Sequence, residues 1–465
     1  MAQICVSNLT FCYEGSFDNI FEDVSFVIDT DWKLGFIGRN GKGKTTFLNI
    51  LSGKYHYQGN ISTSTVFDYF PYQITQQQKE QCASEFLAEL KPGCEEWRVI
   101  YELDKLQTSA EILYRPFGTL SFGEQTKVML AVLFAEDNDF LLIDEPTNHL
   151  DHEARQIVKK YLADKKGFIL VSHDRDLLDA CIDHVLVLNR KSIEIQSGNF
   201  SSWWENKMRK DTFLQMENEK HLRQIGQLKR AAEQSARWAQ QNENTKIGYD
   251  PKKEPNRDIS TRAYIGAKTK KMQSRVKSYE KRMQREIEEK EGLLVDIENP
   301  VDLKLYPDKY HKDVLVSAKD YTFTYADAKE AVIDHLSFEL RQGERIFLKG
   351  SNGCGKSTLI KNILSHVKGE SPSNGKEEGL LGTGSIREFC KERELDESLF
   401  CALLRQLDMD RVQFEKNMED FSEGQKKKVL IASSLMTPAH LYIWDEPLNY
   451  IDVFTTMQIE ELLLK

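Results

Sequence analysis

The sequence contains neither a long apolar run nor closely spaced cysteines. Its 465 residues include no uninterrupted run of about 18 apolar residues, which argues against a membrane-spanning helix. The amino-terminal residues 1–6 lack the basic and apolar segments of a secretory signal peptide. The eight cysteines are scattered without any Cys-x-x-Cys pair, which argues against a zinc site and a disulfide framework. We therefore expect a cytoplasmic protein with reduced thiols and no membrane span.

Positive charge is concentrated in one region of an otherwise acidic chain. Residues 220–285 contain 18 Lys or Arg and 6 Asp or Glu, a local excess of +12, whereas the whole chain carries −10. The remaining residues therefore sum to −22. A basic middle between acidic flanks indicates a polyanionic partner for the middle region alone. The chain length favours two or three domains.

The same three motifs occur in the same order on each side of the basic region. They are a glycine-rich loop, a serine-containing segment, and an apolar strand that ends in Asp-Glu. They occupy residues 38–45, 120–125 and 141–146 in the first copy and residues 350–357, 421–425 and 441–447 in the second. In both copies 23 residues separate the serine from the strand aspartate, Ser121 from Asp144 and Ser422 from Asp445. The repetition predicts two domains of one α/β fold.

Each glycine-rich loop has the context of a phosphate-binding loop, with an apolar strand before it and a helical pattern after it. Short strands are predicted at 4–6, 9–11, 24–28 and 33–37, and again at 314–316, 321–325, 336–340 and 345–349. Glycine lets backbone N–H groups approach phosphates, lysine brings charge to the outer phosphates, and the hydroxyl of Thr45 or Ser357 binds Mg²⁺. The predicted nucleotide-binding residues of the loops are Gly38, Asn40, Gly41, Gly43, Lys44, Thr45, Thr46, Gly350, Asn352, Gly353, Gly355, Lys356, Ser357 and Thr358.

Two adjacent carboxylates at the end of an apolar strand cost free energy unless they bind a ligand or take part in a reaction. Asp144 and Asp445 are predicted to hold Mg²⁺ through water, and Glu145 and Glu446 to polarise the attacking water. The alternative, solvated loop acids, fits poorly with the apolar strand before them and the proline after them. His173 follows another apolar strand, where it is placed to contact a γ-phosphate.

Further candidates have weaker signals on their own. Tyr13 and Tyr325 occupy matching positions and are predicted to stack on the base, although an ordinary tyrosine explains each equally well. Gln73 follows a predicted strand, from which a glutamine can reach Mg²⁺ or the attacking water. The residues expected to meet an anion where a helix begins are Ser121, Gly123 and Glu124, and Ser422, Gly424 and Gln425.

Taken in order, these motifs resemble those of an ABC-type ATPase, and the resemblance covers about four-fifths of the chain. Two such domains without a membrane span, joined by a long charged linker, look like the ABC-F class, whose members act on ribosomes. The resemblance implies two P-loop ABC ATPase domains in tandem, at 1–204 and 301–465, joined by an α-helical hairpin at 205–300. It also implies a monomer in which the two domains form an intramolecular dimer that hydrolyses ATP with Mg²⁺.

In the ABC arrangement the domains face each other head to tail, so each ATP site is composite. The first site would comprise Lys44, Thr45, Asp144, Glu145 and His173 facing Ser422 and Gly424. The second would comprise Lys356, Ser357, Asp445 and Glu446 facing Ser121 and Gly123.

The linker supports a nucleic-acid partner independently of the resemblance. Residues 205–245 contain strong helix formers and no proline, and such a helix would extend roughly 60 Å. Prolines and a glycine predict a turn at 246–266, and the return helix at 267–291 is strongly basic. The aromatic residues predicted to stack on unpaired bases are Trp238, Tyr249 and Tyr264. The alternative is an arm whose charges only confer solubility.

The second copy departs from the first in two ways. Its interval from the loop lysine to the signature serine is 66 residues instead of 77, and no second glutamine is found. A histidine placed 28 residues after Glu446, as His173 follows Glu145, would lie beyond the chain. Either the second site is impaired or the sequence is incomplete. We favour the latter, because loss of a closing strand would expose a sheet edge.

Within the ABC-F class, the sequence Leu-Asn-Tyr-Ile-Asp at 448–452, the short interval 73–120 and the long linker resemble the Vga/Lsa-type antibiotic-resistance proteins. That resemblance implies binding to large-subunit rRNA and P-site tRNA of the bacterial ribosome. It also implies protection from lincosamides, pleuromutilins and streptogramins A at the peptidyl-transferase centre. The alternatives are a housekeeping translation factor that relieves stalled ribosomes, the energy subunit of a transporter, and, less favoured, a DNA-repair ATPase.

Overall fold

The computed structural model describes most of the chain. The described residues are 2–13, 19–38, 43–136, 140–148, 150–188, 193–244, 274, 277–279, 281–286, 303–325, 331–351, 353–368, 384–409, 411–414 and 416–464. The chain divides into two compact units, Met1–Trp203 together with Pro300–Lys465, and Trp204–Asn299. Among the described residues no helix combines the length and the apolarity needed to span a membrane.

A six-stranded sheet forms the centre of the first half. Its strands are β3 (Lys33–Ile37), β5 (Phe67–Phe70), β6 (Phe140–Asp144), β7 (Phe168–Val171), β8 (His184–Leu188) and β9 (Ile193–Ser197). The order is β5-β6-β7-β3-β8-β9, parallel except for β9. Strands β6 and β7 are almost wholly buried, as their continuous apolar sequences predict for a covered parallel sheet. The carboxyl ends of β3, β6 and β7 therefore meet at one edge.

A smaller antiparallel sheet packs on the central one. It consists of β1 (Gln3–Phe11), β2 (Phe21–Asp29) and β4 (Gln58–Ser62), in the order β2-β1-β4. The prediction of separate strands at 4–6 and 9–11 is wrong, because both belong to β1. Its register shifts between Val6 and Leu9, where Asn8 takes a φ of 53°. Such an irregularity bends a strand without ending it. Phe21, Phe36 and Phe47 fill the core between the sheets.

Seven helices of the first half surround these sheets in the described residues. They are α1 (Lys44–Leu51), α2 (Gln76–Glu80), α3 (Ala83–Leu90), α4 (Glu96–Lys105), α5 (Phe122–Leu133), α6 (His152–Ala163) and α7 (Arg175–Cys181). Short 3₁₀ turns lie at Ala110–Tyr114 and Phe117–Thr119. The sequence predicts helices at 83–90 and 97–102, and α3 and α4 confirm both predictions. The buried carboxylate of Glu102 ties α4 to the end of α6, accepting hydrogen bonds from Tyr161 at 2.6 Å and Lys165 at 2.5 Å.

The second half is built on its own helical core. Its described elements are β10 (Val314–Phe323), β11 (Ile333–Arg341), α9 (Lys356–Lys368), α10 (Ile386–Glu392), α11 (Glu397–Gln406), α12 (Arg411–Phe414), α13 (Glu423–Met436) and α14 (Val453–Leu464), with a 3₁₀ turn at Met418–Asp420. Strands β10 and β11 pair antiparallel, as β1 and β2 do. Phe389, Phe400 and Leu404 centre the apolar cluster among the helices.

The strands predicted at 345–349 and 441–444 are wrong, since both segments lack strand pairing in the described structure. In the first half, β3 lies between β7 and β8, which begin 23 and 39 residues after Glu145. Among the described residues of the second half no strand pairs with 345–349, so its backbone groups join no ladder there, and Phe347 is 88% exposed.

The second unit contains most of a long helix. Helix α8 (Phe200–Asn244) has 45 residues, or about 68 Å at 1.5 Å per residue. The helix predicted at 205–245 is thus confirmed and begins five residues earlier. Of the predicted return helix, residues 274, 277–279 and 281–286 are described and are helical. The predicted turn at 246–266 lies outside the described residues.

Candidate active site

The first phosphate loop ends at the amino terminus of α1, which follows β3. The Lys44 ammonium donates a hydrogen bond to the Gly38 carbonyl oxygen at 2.5 Å, and Lys44 is 8% exposed. Burial lowers the pKa of Lys44, and the nearby carboxylates of Asp452 and Glu145 partly counter that effect. A helix amino terminus beside a buried ammonium favours an anion. Asn40 and Gly41, which were predicted to contact nucleotide, lie outside the described residues.

Gly43 is required by the shape of this loop. Its φ of +101° lies in the left-handed region, and an added Cβ would stand 2.4 Å from Cγ2 of Ile20. Both facts exclude a larger residue without a shift of the loop. Gly355 matches it in the second half, with a φ of +92° and an added Cβ 2.8 Å from Cγ1 of Val332.

Two hydroxyl groups converge on the carboxylate that ends β6. Thr45 Oγ1 donates to Asp144 Oδ2 at 2.9 Å, and the Tyr69 hydroxyl donates to the same oxygen at 3.1 Å. Burial raises the pKa of Asp144, and the two hydrogen bonds partly counter that rise. Thr45 and Asp144 thus stand together as their predicted shared role in Mg²⁺ binding requires. Tyr69 was not predicted, because a tyrosine in a strand has no distinctive sequence signal.

Glu145 and His173 form a pair beside Asp144, with side chains 19% and 17% exposed. His173 Nε2 lies 3.3 Å from Glu145 Oε1, and the His173 backbone N–H donates to Glu145 Oε2 at 3.4 Å. Burial and then the Asp144 charge raise the pKa of Glu145 to about 8, whereas burial and then Lys44 lower the pKa of His173 to about 3. At pH 7 the imidazole is therefore neutral, so this contact is not an ion pair.

The second half contributes a buried ion pair near this site. Lys428 Nζ lies 2.8 Å from Asp452 Oδ2, and their side chains are 3% and 0% exposed. Burial raises the pKa of Asp452, but Lys428 and the hydrogen bond from the Thr455 backbone outweigh burial and hold the pKa at about 2. The charges of both residues act on Lys44 and His173 of the first half.

The pair Lys428–Asp452 was missed by sequence reasoning, although a signal exists. A lysine follows the signature serine by six residues in both halves, as Lys127 and Lys428. In the first half, burial lowers the pKa of Lys127, and Asp151, the counterpart of Asp452, opposes that shift.

The second phosphate loop is more open than the first. Lys356 Nζ donates to the carbonyl oxygens of Gly350 and Ser351, each at 2.8 Å. Ser357, Asp445 and Glu446 are exposed, unlike the buried Asp144–Glu145 environment of the first half. Asn449 Nδ2 donates to Glu446 Oε2 at 2.7 Å. Gly353 takes a φ of +81°, and Asn352 lies outside the described residues.

The signature serines cap helices in both halves. Ser121 caps α5, where its Oγ accepts from the Glu124 backbone N–H at 3.3 Å and Glu124 accepts from the Ser121 backbone N–H at 2.8 Å. Ser422 caps α13 with Gln425 in the same way. Glu124 and Gln425 are thus engaged in capping boxes, which fixes the serine at the helix start. Gly123 and Gly424 lie within the first turns of these helices.

Tyr13 and Tyr325 occupy matching positions, and each makes a hydrogen bond with a threonine hydroxyl. The Tyr13 hydroxyl lies 2.7 Å from Thr46 Oγ1, and the Tyr325 hydroxyl lies 2.9 Å from Thr358 Oγ1. Both tyrosine rings are largely exposed beside the phosphate loops, at 42% and 44%. An exposed ring tethered to a phosphate loop is suited to stack on a base.

Gln73 is exposed three residues beyond the end of β5, beside the edge at which Asp144 lies. Of the aromatic residues predicted for the linker, Tyr249, Tyr264 and the Trp238 side chain lie outside what the structure describes.

The side chains at this site fit a Mg²⁺ ion shared with a bound nucleotide better than a metal ion held by protein groups alone. No cluster of three or more His, Cys, Asp or Glu able to hold a metal occurs among the described residues. Mg²⁺ is commonly bound by one or two carboxylates together with substrate phosphates. Thr45 and Asp144 supply such a partial set, next to the lysine that favours the phosphates.

Comparison with known proteins agrees with this geometry. The ABC transporter family model matches residues 21–148, 333–379 and 373–449, together a little over half of the chain. The chain is 27% identical to the ribosome protection protein VmlR of Bacillus subtilis, over 97% of this chain and 80% of that protein. It is 24% identical to the energy-dependent translational throttle protein EttA of Haemophilus influenzae, over 96% of this chain and 84% of that protein.

Among solved structures, the chain resembles the archaeal ribosome recycling factor aABCE1, determined in complex with the ribosomal stalk protein aP1. The TM-score is 0.56, with 98% of this chain and 81% of that chain covered. The sequences are 17% identical, so the likeness concerns the fold alone.

Proposed function

Because this chain belongs to the ABC-F family of ATP-binding cassette ATPases, we propose that it protects the bacterial ribosome from antibiotics acting at the peptidyl-transferase centre. The drug classes are lincosamides, pleuromutilins and streptogramins A. The observation that carries the proposal is the similarity to a ribosome protection protein along 97% of the chain. The protein would act in the cytoplasm as a monomer.

The first site has the groups that ATP hydrolysis needs. Lys44 and the amino end of α1 would bind the phosphates, and Thr45 and Asp144 would hold Mg²⁺, which neutralises phosphate charge. Glu145 would orient the attacking water, with His173 beside it. The buried state of this pair keeps the imidazole neutral, so its ring can contact phosphate without carrying a fixed charge.

The second half would complete the first site. Lys428 and Asp452 already act electrostatically on Lys44 and His173, which supports a composite arrangement. Ser422, held as a helix cap, would contribute its hydroxyl and neighbouring N–H groups to the phosphates. ATP would close the two halves, and hydrolysis would release them, a switch ordered by phosphate contacts.

The linker would bind the ribosome. Its excess of +12 over residues 220–285 favours RNA phosphates, since Lys and Arg release counterions from RNA on binding. Helix α8 is about 68 Å long, and the segment 246–266 follows its carboxyl end in the sequence. Large-subunit rRNA and the P-site tRNA are the proposed contacts.

A susceptibility assay tests the proposal. A drug-sensitive bacterium that expresses the chain should tolerate more lincosamide, pleuromutilin and streptogramin A, but no more of a drug that binds the small subunit. The matched control is Lys44→Ala together with Lys356→Ala, which removes both phosphate-binding lysines and should abolish the protection. Equal susceptibility with the intact chain and this control would contradict the proposal.

The second candidate is a translation factor that relieves stalled ribosomes, which the similarity to EttA favours. That role predicts slower growth without the gene in the absence of drug. The third alternative is the energy subunit of a transporter, which would sediment with membranes. Fractionation of a cell extract into ribosomes and membranes therefore distinguishes it from the two ribosomal roles.

A further inference from the structure

We propose that Tyr69 is a positioning residue that holds Asp144 for the metal ion at the first ATP site. The inference rests on the role of Asp144 in holding Mg²⁺, proposed above. It adds a residue from β5 to a site otherwise built from the phosphate loop and from the ends of β6 and β7.

The sheet places Tyr69 beside the end of β6. Strands β5 and β6 run parallel with Tyr69 opposite Leu142, two residues before Asp144. From there the tyrosine hydroxyl reaches Asp144 Oδ2 at 3.1 Å. The ring is half-buried, and the ammonium of Lys54 lies 4.6 Å from its centroid, a cation–π distance that restrains its orientation.

The second donor to Asp144 Oδ2 explains why a tyrosine is useful there. Thr45 Oγ1 donates to this oxygen at 2.9 Å. A phosphate-loop hydroxyl binds Mg²⁺ through an oxygen lone pair, so its proton can stay on the carboxylate when nucleotide is bound. The Tyr69 hydroxyl is the second donor to Oδ2, and it comes from β5 instead of from the loop that binds the phosphates. Outer hydrogen bonds of this kind fix the direction of a carboxylate that helps to hold a metal.

Asp68, the residue before Tyr69, makes different contacts, so Tyr69 can be changed without altering them. Asp68 accepts a hydrogen bond from the Tyr72 hydroxyl at 2.7 Å and lies 3.1 Å from Nζ of the buried Lys91. These contacts join β5 to the end of α3. Tyr69→Phe leaves them intact and removes one oxygen atom.

The test measures ATP hydrolysis by the full chain at rising Mg²⁺ concentration. For Tyr69→Phe, the Mg²⁺ concentration that gives half the maximal rate should rise about tenfold. The KM for ATP at saturating Mg²⁺ should change little, because Lys44 and the loop are unaltered. Mn²⁺ binds oxygen and nitrogen sites more tightly than Mg²⁺. With Mn²⁺, the half-maximal metal concentrations of Tyr69→Phe and the original protein should therefore differ less. Repeating the titration with Lys356→Ala isolates the first site.

Tyr57→Phe is the matched control, because Tyr57 is partly buried against the same core. It should keep the original Mg²⁺ dependence. Thermal unfolding of each variant shows whether Tyr69→Phe is folded at the assay temperature. The rise in the unfolding midpoint on adding Mg²⁺ with a non-hydrolysable ATP analogue, which should require more Mg²⁺ in Tyr69→Phe, measures metal-dependent binding without turnover. An unchanged Mg²⁺ dependence in folded Tyr69→Phe overturns the proposal, as does a loss of rate that is equal at every Mg²⁺ and Mn²⁺ concentration.

Asp144→Asn distinguishes this inference from the role on which it rests. If Asp144→Asn loses Mg²⁺-dependent hydrolysis and Tyr69→Phe does not, only the role of Tyr69 fails. If Asp144→Asn retains the original Mg²⁺ dependence, the metal role of Asp144 itself fails.

Discussion

At the scale of single residues, burial sets the chemistry of the first site. Glu145 and His173 are adjacent, yet burial holds the pKa of the glutamic acid near 8 and that of the histidine near 3. Asp452 behaves differently, because the charge of Lys428 at 2.8 Å outweighs burial and holds the pKa of Asp452 at about 2. Burial acts against the charged form in both pairs, and a close opposite charge reverses its effect on Asp452.

Replacing Glu145 and Glu446 by Gln should stop turnover and preserve ATP binding. The amides cannot accept a proton from water, whereas the groups proposed to bind phosphate and Mg²⁺ remain. Steady-state ATPase activity should fall at least about 100-fold, and ribosome co-sedimentation with ATP should persist. Undiminished hydrolysis would remove both glutamates from the mechanism.

Lys428→Met should strongly destabilise the protein. It leaves the Asp452 carboxylate buried without its cation, a loss that typically costs about 3–5 kcal/mol. Denaturant unfolding measures this difference. Lys426→Met is the matched control, because Lys426 makes a surface ion pair with Glu423 at 3.0 Å and should change stability by less than about 1 kcal/mol. Similar stabilities for the two variants would contradict the structural importance of the buried pair.

At the scale of elements, the same local side-chain contacts occur in both halves. The starts of α5 and α13 have identical capping boxes, and the tyrosine–threonine contact is repeated at both phosphate loops. A serine that caps a helix has its hydroxyl fixed at the helix amino terminus. The cap therefore stabilises the helix and presents an anion-binding group at once.

Substitutions of Ser422 should separate these two roles. Ser422→Asp retains a good helix cap, so thermal stability should stay close to that of the original protein, but its charge would repel phosphate and ATPase activity should fall. Ser422→Ala should lose about 1 kcal/mol from the missing cap. Calorimetry and ATPase assays on both variants measure the two effects. Full activity in Ser422→Asp would show that this serine does not face phosphate.

At the scale of the whole molecule, the two halves belong to one compact unit, and the linker forms another. Within the first of these units, Arg175 at the start of α7 lies 3.1 Å from Glu460 of α14, and the rings of Trp203 and Phe454 pack edge to face. The second half thus contacts the segment that follows His173.

Replacing residues 246–266 by a short Gly/Ser turn should separate ATP hydrolysis from protection. The described site residues are untouched, so basal ATPase activity should stay near its original rate. Drug protection should fall, because the proposed contact with the ribosome interior is lost. Ribosome binding should weaken only partly, since the basic residues from Lys268 to Arg285 remain. Retained protection would mean that domain closure or another surface explains the function.

The sequence alone determined the tandem motifs, the phosphate loops and the helices at 83–90 and 205–245. These features depend on residues that are close in the chain, where spacing and periodicity are visible. The two Asp-Glu pairs, at 144–145 and 445–446, were identified for the same reason. The positive charge of the linker follows from counting its Lys, Arg, Asp and Glu residues.

Only the tertiary structure decided which distant residues meet. Tyr69, Thr45 and Asp144 are separated by up to 99 residues, and their hydroxyl and carboxylate groups meet because β5, β6 and α1 share one edge of the sheet. Burial, which no local pattern measures, raises the pKa of Glu145 and lowers the pKa of His173. The segment 345–349 has a strand-like sequence, but a strand forms only where neighbouring strands complete its hydrogen bonds.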